Sequence, residues 1–336
     1  MGKNIVWFGT RAAQAGAVAL YVVAGSPAIA GGKYTTIDPS GSIATFAYGI
    51  NDPGVVTGYY EDGAQHYHGF LRATDGTITS FDVAGASYTY ARNINAGGEI
   101  SGYSQNTSYH GFLRAADGTI TSFDVSNSTN TVPAGMNDKN GVTGSYQDSG
   151  NVWHGFLRSA AGSIKSFDPS GSIASFPVGI NDKRAIAGEY LDSQNVYHGF
   201  VRAADGTITS FDPSGSKYTS PTGINRSGAI AGTWADANNV LHGFVRAADG
   251  TFTSFDPSES TGTFPTGIDD GGAIAGYYTD RSFVSHGFLR KPDGTIKSFD
   301  PPASAFTRPE SINKIRAIAG YYEDSGGVAH GFLRSR

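Results

Sequence analysis

A histidine and an aspartate recur together along this chain at one fixed interval. His68, His110, His154, His198, His242 and His286 are followed by Asp82, Asp124, Asp168, Asp212, Asp256 and Asp300, while His330 and Asp38 stand at opposite ends of the sequence. A His–Asp pair can act as a general base held in one tautomer, so the pattern invites a catalytic reading. A catalyst, however, needs acid and base groups that differ from their surroundings, and seven equivalent pairs offer no such difference. The simpler reading is a hydrogen bond and an Asx-type turn written once per repeat. Metal binding fails for a related reason: one His per repeat spreads the ligands far beyond the roughly 2 Å bond a metal requires. Loops such as "EDSGG" (323–327) and "QDSGN" (147–151) also lack the alternating oxygen ligands of a calcium loop. No metal and no cofactor is expected.

The elements that carry these pairs follow from the repeat. His-Gly-Phe occurs at His68, His110, His154, His198, His242, His286 and His330, the first interval being 42 residues (110 − 68) and the next five 44. Each copy reads as four short strands, for example "FPVGIN", "AIAGEY", "HGFVR" and "TITSFD" between residues 176 and 212. Asp-Gly between the last two is a strong hairpin signal. Four strands in about 44 residues match the blade of a β-propeller, whose sheet buries both faces only when a neighbour covers each one. The fold class expected is all-β: a seven-bladed propeller with four antiparallel strands per blade. The termini fit this reading. Residues 34–38, "YTTID", form a lone fourth strand, and "HGFLR" at 330–334 is a third strand lacking its partner, so the N-terminal strand should complete the last blade and close the ring.

Composition narrows the functional classes. A net charge of -5 without a Lys/Arg cluster gives no footprint for nucleic acid or an anionic membrane. At the N-terminus Lys3 and Arg11 precede the apolar stretch "AGAVALYVVAG" and then "SPAIAGG", the layout of a secretory signal peptide cleaved after Ala30. The expected organisation is therefore a signal peptide at 1–30 and a single propeller domain at 31–336, secreted or periplasmic, with no membrane attachment after cleavage. Absence of cysteine does not oppose export, because a large core needs no covalent staples.

On its His-Gly-Phe phrases this chain resembles the HAF family of probable extracellular repeat proteins over residues 33–334. The small residue is Gly in all seven copies, where the family name implies Ala. The resemblance implies an exported repeat protein and brings no catalytic residues with it.

Most recurring residues read as scaffold. The Asn at the turn after the first strand (Asn51, Asn95, Asn137, Asn181, Asn225, Asn313, with Asp269 in one copy) suits a left-handed turn position. The Gly inside the second strand (Gly58, Gly102, Gly144, Gly188, Gly232, Gly276, Gly320) suits close packing near the axis. Information about function lies where the copies disagree. Two residues before the Ile or Met of the first strand they read Tyr48, Arg92, Ala134, Val178, Thr222, Thr266 and Glu310; after the second-strand Gly they read Tyr59, Tyr103, Ser145, Glu189, Thr233, Tyr277 and Tyr321. Tyr48, Tyr59, Arg92, Tyr103, Tyr277, Glu310 and Tyr321 fall in adjacent repeats once the ring closes, making one sector of the axial mouth large and polar-aromatic. Two functions suit it. The first is a monomeric binding module for an extracellular ligand, a glycan being the chemistry that aromatic faces and polar anchors fit. The alternative is a propeller enzyme, a lyase or hydrolase working in the same mouth. The signal reading predicts that secreted protein begins at Gly31, and intact-mass measurement showing residues 1–30 retained on secreted material contradicts it.

Overall fold

The computed structural model describes residues 32–335. Residues 1–30, expected to be a signal peptide, lie outside the described residues. Among the described residues there are 28 strands and no helix. The first complete repeat runs Ser42–Ile50, Val56–Asp62, Tyr67–Arg72 and Ile78–Phe81, each strand antiparallel to the one before. Chain order equals sheet order because every connection inside a repeat is a tight turn. Asp75 and Gly76 show how the last of these is made: the Asp carboxylate accepts from Thr77 N at 2.9 Å, and Gly76 takes a φ of 96° that a side chain would oppose.

The same four-strand sheet recurs along the chain. Two of the units, starting at Tyr218–Ile224 and Gly262–Ile268, are joined into one eight-stranded sheet by a single parallel pairing, Leu241 with Gly262. At the ends of the chain, Lys33–Ile37 pairs antiparallel with Ala329–Ser335, Tyr34 opposite Arg334 and Ile37 opposite Gly331. The N-terminal strand thus supplies the fourth strand of the last sheet.

The His-Gly-Phe phrase is explained residue by residue. Its Phe is the core: Phe70, Phe112, Phe156, Phe200, Phe244, Phe288 and Phe332 are all 0% exposed. Its Gly faces the aromatic residue that ends the fourth strand; a Cβ on Gly69 would lie 2.7 Å from the Phe81 ring. Between neighbouring sheets, Phe81 meets Phe112 edge to face at 6.3 Å, and the guanidinium of Arg114 lies 4.9 Å from the centre of the Phe81 ring. The arrangement repeats down to Phe299, Phe332 and Arg334. Burying an aromatic of this size is the largest single favourable term each repeat contributes.

Two scaffold positions have causes other than those the sequence suggests. The second-strand Gly is required by backbone and by the core Phe rather than by the axis: a Cβ on Gly102 would sit 2.1 Å from Tyr90 O and 2.9 Å from the Phe112 ring. The carbonyl is there because the first strand is bulged between Ala91 and Asn93, opposite this Gly. The turn Asn is not left-handed. That role falls three residues later, to Gly54, Gly98, Asn140, Arg184, Gly228, Gly272 and Arg316. The Asn instead bonds both within and between sheets. Asn51 Oδ1 accepts from Val55 N at 2.8 Å, while its Nδ2 donates to Asn95 O at 3.1 Å in the next repeat. Equivalent bonds run from Asn137 to Asn181, Asn181 to Asn225, Asn225 to Asp269 and Asn313 back to Asn51.

Gly102→Ala should therefore cost at least as much as other core overpacking, about 1–3 kcal/mol, and Phe112→Ala about 3–5 kcal/mol. Gly63→Ala, which meets nothing within 4 Å, should stay within about 0.5 kcal/mol of the parent. Denaturant unfolding compares the three, and a Gly102→Ala protein as stable as the parent contradicts the packing account.

Candidate functional site

The first strands of all seven repeats converge on one cavity of about 270 Å³. Ile50, Ile94, Met136, Ile180, Ile224, Ile268 and Ile312 form an even apolar girdle around it. The next layer is uneven. Val178, Thr222 and Thr266 line one side, and Tyr48, Arg92 and Glu310 line the other.

Of the residues expected at the mouth, these last three reach the cavity. Arg92 stacks on Tyr48, its Cζ 3.9 Å from the ring centre, and its Nη1 is buried without a hydrogen-bond partner. Burial opposes its charge, but Tyr48, Tyr103, Tyr59 and Glu310 around it hold its pKa above the ordinary value. Tyr59, 4% exposed, stands behind Tyr48 with the rings 5.3 Å apart and 17° from parallel, and its hydroxyl lies 3.4 Å from that of Tyr48. Tyr103 and Tyr321 are 7% and 9% exposed and pack against Tyr90 and Phe46, respectively. Tyr59 and Tyr321 thus reach the neighbouring sheet, at Tyr90 and Phe46, while Tyr103 packs on Tyr90 of its own sheet, and none of the three lines the cavity. Burial pushes the Tyr103 phenol up to about 12, so it stays a neutral hydroxyl. Tyr277 stacks on Phe264 at 4.7 Å.

Arg308 was not singled out by the sequence reading. Its Nε lies 2.8 Å from Glu310 Oε1, out of line for a hydrogen bond, and its guanidinium lies 5.1 Å from the Tyr277 ring centre. Glu310 therefore pairs with Arg308 of its own strand, with Arg92 a more distant charge. Burial raises the Glu310 pKa, and both arginines pull it back without restoring the ordinary value. Arg308 had a readable signal: the copies there are Phe46, Tyr90, Val132, Phe176, Ser220, Phe264 and Arg308, so it is the one charge in the set.

Glu189 is the odd charge of the second-strand position. Its Oε2 is buried with no hydrogen-bond partner, and burial pushes the carboxyl up to about 7 against the pull of the Ser220 hydroxyl. Tyr197 and Tyr218, 5.7 Å apart edge to face, stand beside it, and its negative charge raises the pKa of both.

The recurring His lies away from the cavity, between two carboxylates. His198 Nδ1 is 2.7 Å from Asp212 Oδ2, and its Nε2 is 3.3 Å from Asp192 Oδ2. His330 makes the equivalent contact with Asp38 across the chain ends, at 2.8 Å. The second repeat differs: Asn106 replaces the second carboxylate and turns to Ser87 and Gly85, leaving the His110 side chain 42% exposed against 25% for His198. At the turns that follow the first strands, Arg226 contacts Asp138, Asp182 and Asp270. Among the described residues no group of His, Cys, Asp and Glu is arranged to hold a metal ion.

This architecture, strands converging on a central cavity with four-stranded sheets around it, is a β-propeller. The solved structures similar to this chain agree. Virginiamycin B lyase from Staphylococcus aureus superposes with a TM-score of 0.63 at 14% identity, over 91% of this chain and 100% of the lyase. The β-propeller domain of the Trilobed protease from Pyrococcus furiosus gives 0.63 at 11% identity, over 86% and 95%. The BP39L lectin from Burkholderia pseudomallei gives 0.56 at 10% identity, over 87% and 96%. At such identities the likeness is one of fold alone. No family model and no curated protein matches the sequence.

The His contacts carry a pH dependence whose sign is fixed. For His68, His154, His198 and His330, burial opposes protonation, but the two flanking Asp outweigh it and the pKa lies above 6.5; for His286 the hydrogen bond to Asp300 is the largest cause of the same rise. A raised folded-state pKa stabilises fully below 6.5, and the contribution is lost as pH rises through the folded value. Asp62, Asp148, Asp192 and Asp324 are lowered from 3.8, mainly by backbone N–H donors, so their contribution is lost only in strong acid. The melting temperature should therefore be highest between about pH 4 and 6.5 and fall toward pH 8. His198→Ala should lower stability by only about 0.2–1 kcal/mol, because the pair is largely solvent-screened. A melting temperature that stays flat from pH 5.5 to 8 contradicts this account.

Proposed function

We propose that this chain is an exported, monomeric binding module: a seven-bladed propeller, closed by its N-terminal strand, that takes a glycan at the axial mouth. The pairing of Lys33–Ile37 with Ala329–Ser335 and the hydrogen bond from Asn313 to Asn51 support the closed ring. The observation that carries the binding reading is the asymmetry of the cavity wall. A channel built from seven near-copies has small side chains on one side and Tyr48, Arg92 and Glu310 on the other. An apolar ring beside a few polar anchors is the composition of a small-ligand pocket, and a sugar ring has both the apolar face and the hydroxyl edge to use it. Tyr59, Tyr103, Tyr277 and Tyr321 serve this reading from behind, by fixing the side chains in front.

Glu189, buried on the second strand outside the residues that line the cavity, favours a second reading, a lyase or hydrolase. A buried carboxyl held at about 7 is tuned for proton transfer near neutrality. It has no His or second carboxylate as partner, so binding is the reading preferred.

Glycan-array screening of the domain beginning at residue 31, followed by titration of each hit, tests the proposal. Tyr48→Ala should weaken binding at least tenfold, and Thr222→Ala, on the opposite wall, should change it less than twofold. The reading fails if no glycan binds the parent or if the two variants bind alike.

A further inference from the structure

The glycan reading leaves the sugar's chemistry open, and the charges in the cavity narrow it. Arg92 lines the Tyr48–Glu310 wall, Arg308 reaches Glu310 from the same strand without lining the cavity, and Glu310 is the one carboxylate among the lining residues. Glu310 is committed to Arg308 at 2.8 Å. Among the described residues no carboxylate approaches Arg92 within ion-pair distance, and its Nη1 finds no hydrogen-bond acceptor. One positive charge is therefore uncompensated on a side chain whose Nη1 is buried, where an unpaired ion is far more costly than at a surface.

The geometry also says how a partner would approach. One face of the Arg92 guanidinium rests on Tyr48, 3.9 Å away, and Arg92 lines the cavity, so an oxyanion entering there would meet it at the edge that carries its N–H donors. That planar fork matches the two oxygens of an oxyanion. The excess is a single charge, which a monoanion balances and a phosphate monoester dianion would overshoot. The cavity of about 270 Å³ is below the usual range of ligand clefts, roughly 300–1,000 Å³, so it admits one sugar ring or the end of a chain.

We infer that the cavity takes the singly negative residue of an acidic glycan, a carboxylate or sulfate ester, on the free edge of Arg92. This rests on the glycan reading above. Tyr48 then holds the guanidinium in place, and the apolar girdle beneath sets the depth of entry.

Calorimetric titration with four probes tests the inference: oligogalacturonate, its fully methyl-esterified form, a sulfated galactan oligosaccharide and inorganic sulfate. The parent should bind at least one of the two acidic oligosaccharides ten or more times tighter than the ester. Whichever acid binds identifies the source of the charge. Arg92→Gln should reduce the preference to within twofold, and Arg92→Lys should keep part of it. Equal binding of acids and ester by the parent overturns the inference and leaves the glycan reading standing; this comparison needs no variant, so it decides even if Arg92→Gln fails to fold. A preference that survives in a folded Arg92→Gln protein overturns it too. Inorganic sulfate that raises the melting temperature through Arg92, with no oligosaccharide bound, supports the oxyanion site and sinks the glycan reading. Binding of none of the four sinks both.

Discussion

Everything else in this molecule depends on the burial of one phenylalanine per repeat between two sheets. A four-stranded sheet with Phe70 or Phe200 on it cannot be soluble alone, and no second layer is available except another copy of itself. The partner that covers it is the previous repeat's fourth-strand Phe, roofed by an Arg from the strand that carries the buried Phe. Once this contact is fixed, three other positions lose their freedom. The facing residue on the second strand must be Gly, the residue before the Phe must be Gly, and the fourth strand must end in an aromatic or, where the N-terminal strand takes that place, in Ile37. The long phrase repeats because these residues are mutually required.

Such a scaffold constrains the outer sheets much more than the inner wall. The first strand gives Ala47 and Ile50 to the cluster around the buried Phe70, whereas Tyr48 and its equivalents at Arg92, Val178, Thr222, Thr266 and Glu310 meet the cavity. The copies differ at these cavity-facing positions and not at the buried Phe. The recurring His sits on the constrained part, between Asp partners that shape its turns, and the variable charges Arg92, Arg308, Glu310 and Glu189 all lie on the inner strands. Symmetry marks what holds the fold, and departures from symmetry mark where a ligand can be told from water.

How much of this was legible follows the same division. The strand count per repeat, the Asp-Gly hairpin and the pairing of the two chain ends could be read because they rest on local turn chemistry and on a motif that repeats. The direction of Tyr59 and its equivalents could not. Alternation gives two faces without saying which meets the channel, and the bulge between Ala47 and Gly49 shifts the first strand by one residue, so that Phe46 lies opposite Tyr59. The Asn belt was missed because an Asn at a turn has a sufficient local explanation, and a hydrogen bond to a residue 44 positions away leaves no local trace. Arg308 and Glu189 were visible as lone charges in their columns. What the sequence could not supply was that Arg308 claims Glu310 and thereby leaves Arg92 free.

The two sets of ionisable groups also respond to pH in the same direction by different routes. The His residues beside their carboxylates stabilise the fold most when protonated, below neutral pH. In the cavity the arginines do not titrate, and the carboxyl of Glu310 is raised, so it takes up its proton before an exposed Glu does. Falling pH thus removes the one negative charge on that wall while leaving both positive ones. A sulfate ester, or a sugar carboxylate above its own lower pKa, then meets a cavity whose positive charge has grown. Falling pH therefore firms the fold through the His–Asp contacts and strengthens the proposed anion site through Glu310, although no titrating group is shared between the two.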